Sequence, residues 1–176
     1  MKRWYLVAPI VFCQLFAVSA WGWEGTVVKV LDGDSLQVQK GGRLVELRLY
    51  GVDAPEYRQA FSNKAREFSR ELLDHRSVIV EEKEVDRYGR TVALVTCQGS
   101  LVNRELVRAG LAWRYAKYCR TEPLCSELAT LEQEARSARR GLWADPEPVP
   151  PWVWRHQKRS GSASGPDWYR RFLGWW

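Results

Sequence analysis

The sequence contains few of the residues that bind zinc. Among its 176 residues are four cysteines and two histidines, and no Cys-x-x-Cys pair occurs. Zinc sites take most of their ligands from these two residue types, at characteristic spacings. A zinc site is therefore not expected, and neither His75 nor His156 lies near the charged motifs described below.

The apolar stretch at the N-terminus does not predict a transmembrane helix. Leu6 to Val18 is short and is interrupted by a proline and a glutamine. Two basic residues precede it and small residues ending at Ala20 follow it, which is the pattern of a secretory signal peptide. We predict a signal peptide over residues 1–20, and export of the mature chain to the periplasm or the extracellular space. An uncleaved membrane anchor is the alternative.

Acidic residues are outnumbered by basic ones. The chain has 27 Lys and Arg against 21 Asp and Glu, which gives a formal net charge of +6 and a pI of about 9.3. Removing the signal peptide lowers the charge from +6 to +4, because Lys2 and Arg3 are lost. A basic chain favours anionic partners such as nucleic acid, a membrane surface or an acidic polymer, but many secreted proteins are mildly basic. The length suits one ordinary domain.

Three cysteines remain after removal of the signal peptide, which contains Cys13. Cys119 and Cys125 flank a short segment, and a disulfide between them is plausible in an oxidising compartment. Two unpaired thiols are the alternative. Cys97 ends an apolar run and is interpreted as a buried strand residue.

The first part of the mature chain predicts three sequential antiparallel strands. Thr26 to Leu31 is β-branched and apolar, Leu36 to Gln39 alternates, and Arg43 to Val52 alternates again. Asp32-Gly33-Asp34 and Gly41-Gly42 supply the turns between them.

Two further strands and about three helices follow. The strands are centred on Val78–Val80 and Val92–Val95. The helices cover Phe61 to Leu72, Ser100 to Ala109 and a last segment from Ser126, each with apolar residues along one face. These elements predict an α+β fold that is mainly β, a five-stranded OB-type barrel, which is an architecture often used to bind nucleic acid.

The predicted domain covers residues 21–144. Residues 145–176 begin with a proline-rich linker and continue as a tail in which five of the ten tryptophans are interleaved with basic residues. These residues could stack on bases or lie at a membrane interface. A tail with no binding role, in which Trp152 and Trp154 pack on the barrel, is the third interpretation.

Asp32-Gly33-Asp34 is the first of three charged motifs. It can be a simple hairpin turn. Alternatively, Asp34 and a second carboxylate from elsewhere in the chain could hold a hard cation such as calcium, which prefers oxygen ligands.

The second motif runs from Arg48 to Glu56, where one guanidinium and two carboxylates occur within nine residues. Strand alternation places Arg48 and Asp53 on opposite faces, so they can share a site only if the chain bends, and Gly51 would permit that bend. Pro55 then fixes the turn that presents Glu56. A solvated acidic turn at a strand end is the alternative.

The third motif, Asp86-Arg-Tyr-Gly-Arg90, predicts a turn between the fourth and fifth strands. Arg90 could supply a second guanidinium for a phosphate, with Tyr88 beside it. Taken alone, the motif favours a plain solvated hairpin turn.

These three motifs occur in the order and spacing of staphylococcal nuclease-like (thermonuclease) domains, together with Leu101-Val-Asn-Arg-Glu-Leu-Val-Arg-Ala-Gly-Leu-Ala112. The resemblance covers about Gly25 to Trp143. It implies a calcium-dependent nuclease that hydrolyses DNA and RNA with little sequence preference. We also predict a monomer without a stable protein partner.

The resemblance also implies roles for particular residues. Calcium would be held by Asp34, Asp53 and the carbonyl of Ala54. The catalytic residues would be Arg48 and Arg90, which bind the phosphate, and Glu56, which activates water. Tyr88 and Tyr115 would contact the substrate, although Tyr118 competes with Tyr115 for that assignment. Ser35 and Ala54 stand where the type member of the family has threonines.

Two other functions fit parts of the sequence. A non-catalytic OB module would bind nucleic acid but should lack some of the acids or arginines, and all of them occur here. An envelope-associated protein would depend on its tryptophan-rich tail, and loss of the tail would abolish its function while Glu56→Gln would not.

Overall fold

The computed structural model describes residues 22–159. The predicted signal peptide and the tail beyond residue 159 lie outside this range. Within it, no helix is long and apolar enough to cross a membrane.

Eight strands and four helices make up the described fold. The strands are β1 (Trp23–Val30), β2 (Ser35–Lys40), β3 (Arg43–Leu49), β4 (Val52–Asp53), β5 (Ser77–Val85), β6 (Thr91–Cys97), β7 (Ser100–Leu101) and β8 (Trp113–Arg114). The helices are α1 (Ser62–Leu73), α2 (Val102–Arg108), α3 (Leu124–Ser137) and α4 (Pro151–Arg159). Short 3₁₀ turns cover Ala116–Tyr118 and Gly141–Ala144.

Five of the strands close into a barrel. Their order is β3-β2-β1-β5-β6, with antiparallel neighbours throughout, and a parallel pairing of β3 with β6 closes the ring. β7 extends the sheet beyond β6, while β4 and β8 form a separate two-stranded ribbon. The predicted five-stranded OB-type barrel is therefore confirmed.

The barrel interior contains the alternating apolar residues that predicted the strands. Val27, Leu36, Val38, Leu47 and Val95 are fully buried there. Burying such side chains contributes about 1.5–3 kcal/mol each relative to leaving them in water. One face of each strand is thus committed to the core, and the other face and the strand ends are free to carry polar groups.

A smaller apolar cluster lies outside the barrel. Trp113, Ala135, Leu142 and Trp143 are buried in it, and Trp152 of helix α4 packs against them. The rings of Trp113 and Trp152 meet edge to face with 6.4 Å between centroids. Helix α4 lies within the segment predicted to be linker and tail. Trp152 packs on the domain, which was the third interpretation of that segment.

Cys119 and Cys125 form a disulfide with 5.6 Å between their Cα atoms. Tyr50, directly before Gly51, holds the same loop, because its hydroxyl oxygen accepts hydrogen bonds from the backbone N–H groups of Arg120 and Thr121 at 2.7 and 3.1 Å. Cys97 is a buried residue of β6, as predicted, and it forms no disulfide. The loop from residue 119 to residue 125 is thereby fixed against the end of β3.

Candidate active site

The bend expected at Gly51 is present. Gly51 has φ +73°, in the left-handed region, and it separates β3 from the two-residue strand β4. The reversal brings Asp53 back towards Arg48, and the Arg48 Nη2 donates a hydrogen bond to Asp53 Oδ1. Two residues that a straight strand would place on opposite faces therefore meet at one site.

We predict that Gly51→Ala destabilises the fold by about 2–4 kcal/mol, because a left-handed alanine is strained and any overpacking adds to the strain. A Cβ at this position would lie 2.9 Å from Cys119 Sγ. Gly41→Ala is the matched control, since Gly41 also has positive φ (+51°) but a Cβ there would meet no atom within 4 Å. Urea denaturation of both variants measures the difference, and equal destabilisation would contradict the assigned contact.

Asp34 occupies a buried position at the start of β2. Its own N–H is held by Asp32 Oδ1 at 3.0 Å, so Asp32 shapes the turn. The Asp34 carboxylate accepts hydrogen bonds from Arg48 Nη1 at 2.9 Å, from the backbone N–H of Ala54 at 2.6 Å and from the Ser35 hydroxyl at 3.2 Å. These contacts join the hairpin turn to the chain just after the Gly51 bend.

Arg48 is the centre of this arrangement because one guanidinium binds both Asp34 and Asp53. Burial raises the pKa of Asp34 well above its usual range, although the positive charge of Arg48 acts in the opposite direction. Burial acts to lower the pKa of Arg48, but the charges of Asp34 and Asp53 outweigh it and raise that pKa. Both carboxylates are almost fully buried, so they depend on a nearby cation.

Glu56 lies on the loop that follows β4. Its backbone N–H donates to Gln59 Oε1 at 2.9 Å, which fixes the turn after Pro55. Its side chain is 34% exposed, in contrast to the buried Asp34 and Asp53. A partly exposed carboxylate beside two buried ones is accessible to water.

Arg155, on helix α4, also reaches these acids, and the sequence did not predict it as a site residue. Its Nη1 donates to Asp53 Oδ1 at 3.0 Å and to Glu56 Oε1 at 2.5 Å, and its Nη2 donates to Asp53 Oδ2 at 2.8 Å. Burial acts to lower the pKa of Arg155, but hydrogen bonds and charge from Asp53 and Glu56 raise it overall. The only sequence signal was the interleaving of arginine with tryptophan in the tail.

Arg90 lies at the edge of the barrel directly before β6. Val92, two residues after Arg90, is the register partner of Arg48, so Arg90 lies at the end of the strand that pairs with the Arg48 strand. Arg90 is held by Asp86, with Nε and Nη2 at 2.8 and 2.7 Å from Asp86 Oδ2. Burial acts to raise the pKa of Asp86, but hydrogen bonds from Arg90 and from backbone N–H groups outweigh it and lower that pKa. The Asp86 turn therefore presents Arg90 in a fixed position.

Tyr88 lies beside Arg90, and Tyr115 lies beside the Gly51 bend. Tyr88 is largely exposed, and the guanidinium of Arg90 lies 5.6 Å from the centre of its ring. Tyr115 is tied to the bend because its N–H donates to the Gly51 carbonyl at 2.8 Å. Its ring stacks on Trp152 with a centroid distance of 5.3 Å and an interplanar angle of 3°. Tyr118 packs edge to face on Tyr115 and is 45% exposed.

The donor set around Arg48 suits a hard cation. Asp34 and Asp53 supply carboxylate oxygens, and the backbone of Ala54 is beside them. Within residues 22–159 no three His, Cys, Asp or Glu side chains cluster as a metal site, so side chains alone would not complete a coordination shell. Calcium takes backbone carbonyl oxygens and water as well as carboxylates. The residues present therefore fit calcium with water as its remaining ligands.

The family model described as "Staphylococcal nuclease homologue" matches residues 46–145. The chain is 43% identical over 136 residues to an "Uncharacterized endonuclease" of Escherichia coli O157:H7, which covers 77% of this chain and 86% of that protein. It is 37% identical over 158 residues to a "Micrococcal nuclease" of Shigella flexneri, covering 84% of this chain and 90% of that protein. A "Probable staphylococcal-like nuclease CAN1" of Oryza sativa subsp. japonica is 38% identical over 117 residues, 66% of this chain and 34% of that protein. The chain therefore belongs to the staphylococcal nuclease-like family.

Proposed function

We propose that the chain is an exported, calcium-dependent endonuclease that hydrolyses phosphodiester bonds of DNA and RNA with little sequence preference. The observation that carries this proposal is the contact of Arg48 with both Asp34 and Asp53, with Glu56 presented on the same short loop. Family membership and relatives named as nucleases support the reaction class. The predicted signal peptide supports export.

Asp34, Asp53 and the carbonyl of Ala54 would hold the calcium ion. When bound, calcium would neutralise charge on the phosphate and polarise its oxygens. Arg48 and Arg155 supply two positive charges against the three carboxylates of Asp34, Asp53 and Glu56, which leaves one negative charge in excess. This excess supports a divalent cation at the site.

Arg48 and Arg90 would bind the phosphate from two sides. Guanidinium groups match phosphate oxygens and stabilise the negative charge that develops at phosphorus in the transition state. Each is pre-oriented by a carboxylate: Arg48 by Asp34 and Asp53, and Arg90 by Asp86. The two guanidinium groups would therefore need little reorientation when the substrate binds.

Glu56 would act as the general base. A positioned carboxylate that accepts a proton from water typically contributes a factor of about 10²–10⁴ to the rate. Its partial exposure and its fixed backbone support this role. Tyr88 and Tyr115 would contact bases or sugars of the substrate, in a manner that tolerates any sequence because every base has a face for stacking.

The test uses plasmid DNA, single-stranded DNA and RNA with the purified chain in calcium. We expect cleavage of all three, with fragments that show no dominant sequence at the cut. Tight binding of DNA without any cleavage would support the non-catalytic OB module instead. If the chain neither cleaves nor binds any of the three nucleic acids, the result would support an envelope-associated protein that functions through its tail.

We predict that Arg90→Ala lowers the rate of DNA cleavage by about a hundredfold, which is the usual effect of removing one group that stabilises transition-state charge. Arg87→Ala is the matched control, because Arg87 belongs to the same turn and contacts the Tyr88 hydroxyl rather than Asp86. Steady-state cleavage of an end-labelled oligonucleotide measures both. Equal losses in the two variants would assign the effect to the turn and not to Arg90.

A further inference from the structure

Helix α4 places a side chain directly in the proposed active site. Arg155 uses both oxygens of Asp53 and one oxygen of Glu56. Arg48 shares Asp53 Oδ1. In this arrangement Arg155 binds Asp53, one of the two carboxylates expected to hold calcium, and Glu56, the carboxylate expected to activate water.

The same helix covers a second part of the site. Trp152 lies one helical turn before Arg155, on the same face. Its ring stacks parallel on Tyr115 at 5.3 Å, which is the arrangement that a nucleic-acid base would adopt on that ring. Arg155 therefore occupies the carboxylate that calcium would bind, and Trp152 occupies the ring face on which a base would stack.

Gln59 connects the start of α4 to the loop that carries Glu56. Its Nε2 donates to the carbonyl of Val149 at 2.6 Å, and its Oε1 accepts the N–H of Glu56 at 2.9 Å. A movement of the Glu56 loop would therefore displace the segment before α4, and a movement of α4 would displace the Glu56 loop.

Helix α4 depends on these contacts to remain helical. It has nine residues, and an isolated helix shorter than about 12 residues is marginal in water. It is attached to the domain by the contacts of Arg155 with Asp53 and Glu56 and by the packing of Trp152 against Tyr115 and Trp113. A divalent cation carries twice the charge of Arg155 and takes carboxylate oxygens such as those of Asp53.

We propose that α4 is an internal inhibitor of the active site, and that calcium and Arg155 compete for Asp53. Calcium binding releases α4, which uncovers Tyr115 and frees Glu56. This inference rests on the proposed function, because it assigns a regulation to the same site. The apparent affinity for calcium then equals the intrinsic affinity multiplied by the fraction of molecules in which α4 is released before calcium binds.

Calcium titration calorimetry on the full chain tests this competition. Arg155→Ala should tighten calcium binding about tenfold or more, because it removes the competing state. Lys158→Ala, which removes the same charge from an exposed position of α4, should change the affinity by less than about twofold. Arg155→Gln, which keeps most of the side chain's length, should behave like Arg155→Ala and guards against a folding defect.

A second pair of variants changes no charge. Trp152→Ala weakens the contact of α4 with Tyr115 and should also tighten calcium binding, by about threefold or more. Val153→Ala is the matched control, since Val153 is 37% exposed on the same helix. If calcium binding tightens in Arg155→Ala but not in Trp152→Ala, removal of a positive charge explains the result. That outcome would overturn the proposed release of α4.

Hydrogen exchange of the unsubstituted chain provides a readout without any variant. Saturating calcium should accelerate exchange of the amides in residues 151–159 by about fivefold or more, because release exposes their hydrogen bonds. Unchanged or slower exchange in that segment would overturn the proposal, and so would an absence of calcium binding in every variant.

If the nuclease proposal alone fails, no variant cleaves DNA, yet the calcium affinities still differ. If the inhibitor proposal alone fails, cleavage persists with equal calcium affinities.

Discussion

Glu56→Gln should lower the rate of DNA cleavage by about a thousandfold or more, since glutamine cannot accept the proton of the attacking water. The substitution keeps the shape of the side chain and an oxygen for Arg155. Glu56 is partly exposed, so the change in the free energy of unfolding should be below about 1 kcal/mol. Loss of kcat with a nearly unchanged fold would mark Glu56 as a residue of the reaction and not of the scaffold.

Single-turnover cleavage of a labelled single-stranded oligonucleotide, in saturating calcium, measures this effect. Glu67→Gln is the matched control, because Glu67 is exposed on helix α1 away from the motif. Full activity of Glu56→Gln would remove the general base from the proposed mechanism. Equal losses in both variants would point to a general effect of charge.

Arg48→Met should have an effect on both stability and activity. Removing the guanidinium leaves Asp34 without its charged partner and leaves Asp53 with Arg155 alone. Removing one member of a buried ion pair costs about 3–5 kcal/mol, and we expect about 3 kcal/mol here because Arg155 partly compensates. Cleavage should fall about a thousandfold, the upper range for losing one group that stabilises transition-state charge.

Arg43→Met is the control for Arg48→Met, since Arg43 is exposed on the same strand. Urea denaturation gives the stability change, and cleavage is assayed under conditions in which both variants are folded. Full activity in the folded Arg48→Met variant would contradict the proposed binding of the phosphate by Arg48. An unchanged free energy of unfolding would contradict its role in holding the two buried carboxylates.

The fold was predictable from the sequence because its signals are local. Period-2 alternation defined the strands, and apolar faces at helical spacing defined α1, α2 and α3. The closure of β3 on β6 is a pairing of distant segments that no local pattern contains. It followed only from the resemblance to an OB-type barrel.

The bend at Gly51 shows how far reasoning from the residues alone reached. Strand parity required a bend if Arg48 and Asp53 were to share a site, and glycine was the residue able to adopt it. The contact of Arg48 with Asp34 was beyond that reasoning. It depends on the register of β2 with β3, in which Ser35 pairs with Arg48 and places the preceding Asp34 beside the guanidinium.

Helix α4 could not be predicted for a different reason. Its nine residues contain tryptophans and charged groups, and it follows a proline-rich stretch that is typical of an extended linker. Its stability comes from partners far away in sequence, since Arg155 binds Asp53 across 102 residues. Contacts of this kind override local preference and are visible only in the folded chain.

The calcium dependence of cleavage tests the central claim most directly. The full chain is assayed on a single-stranded oligonucleotide in calcium, then in excess EDTA, then after calcium is restored above the chelator. Cleavage should stop in EDTA and return with calcium, because the proposed mechanism requires a divalent cation at Asp34 and Asp53. Cleavage that continues unchanged in EDTA would contradict the account.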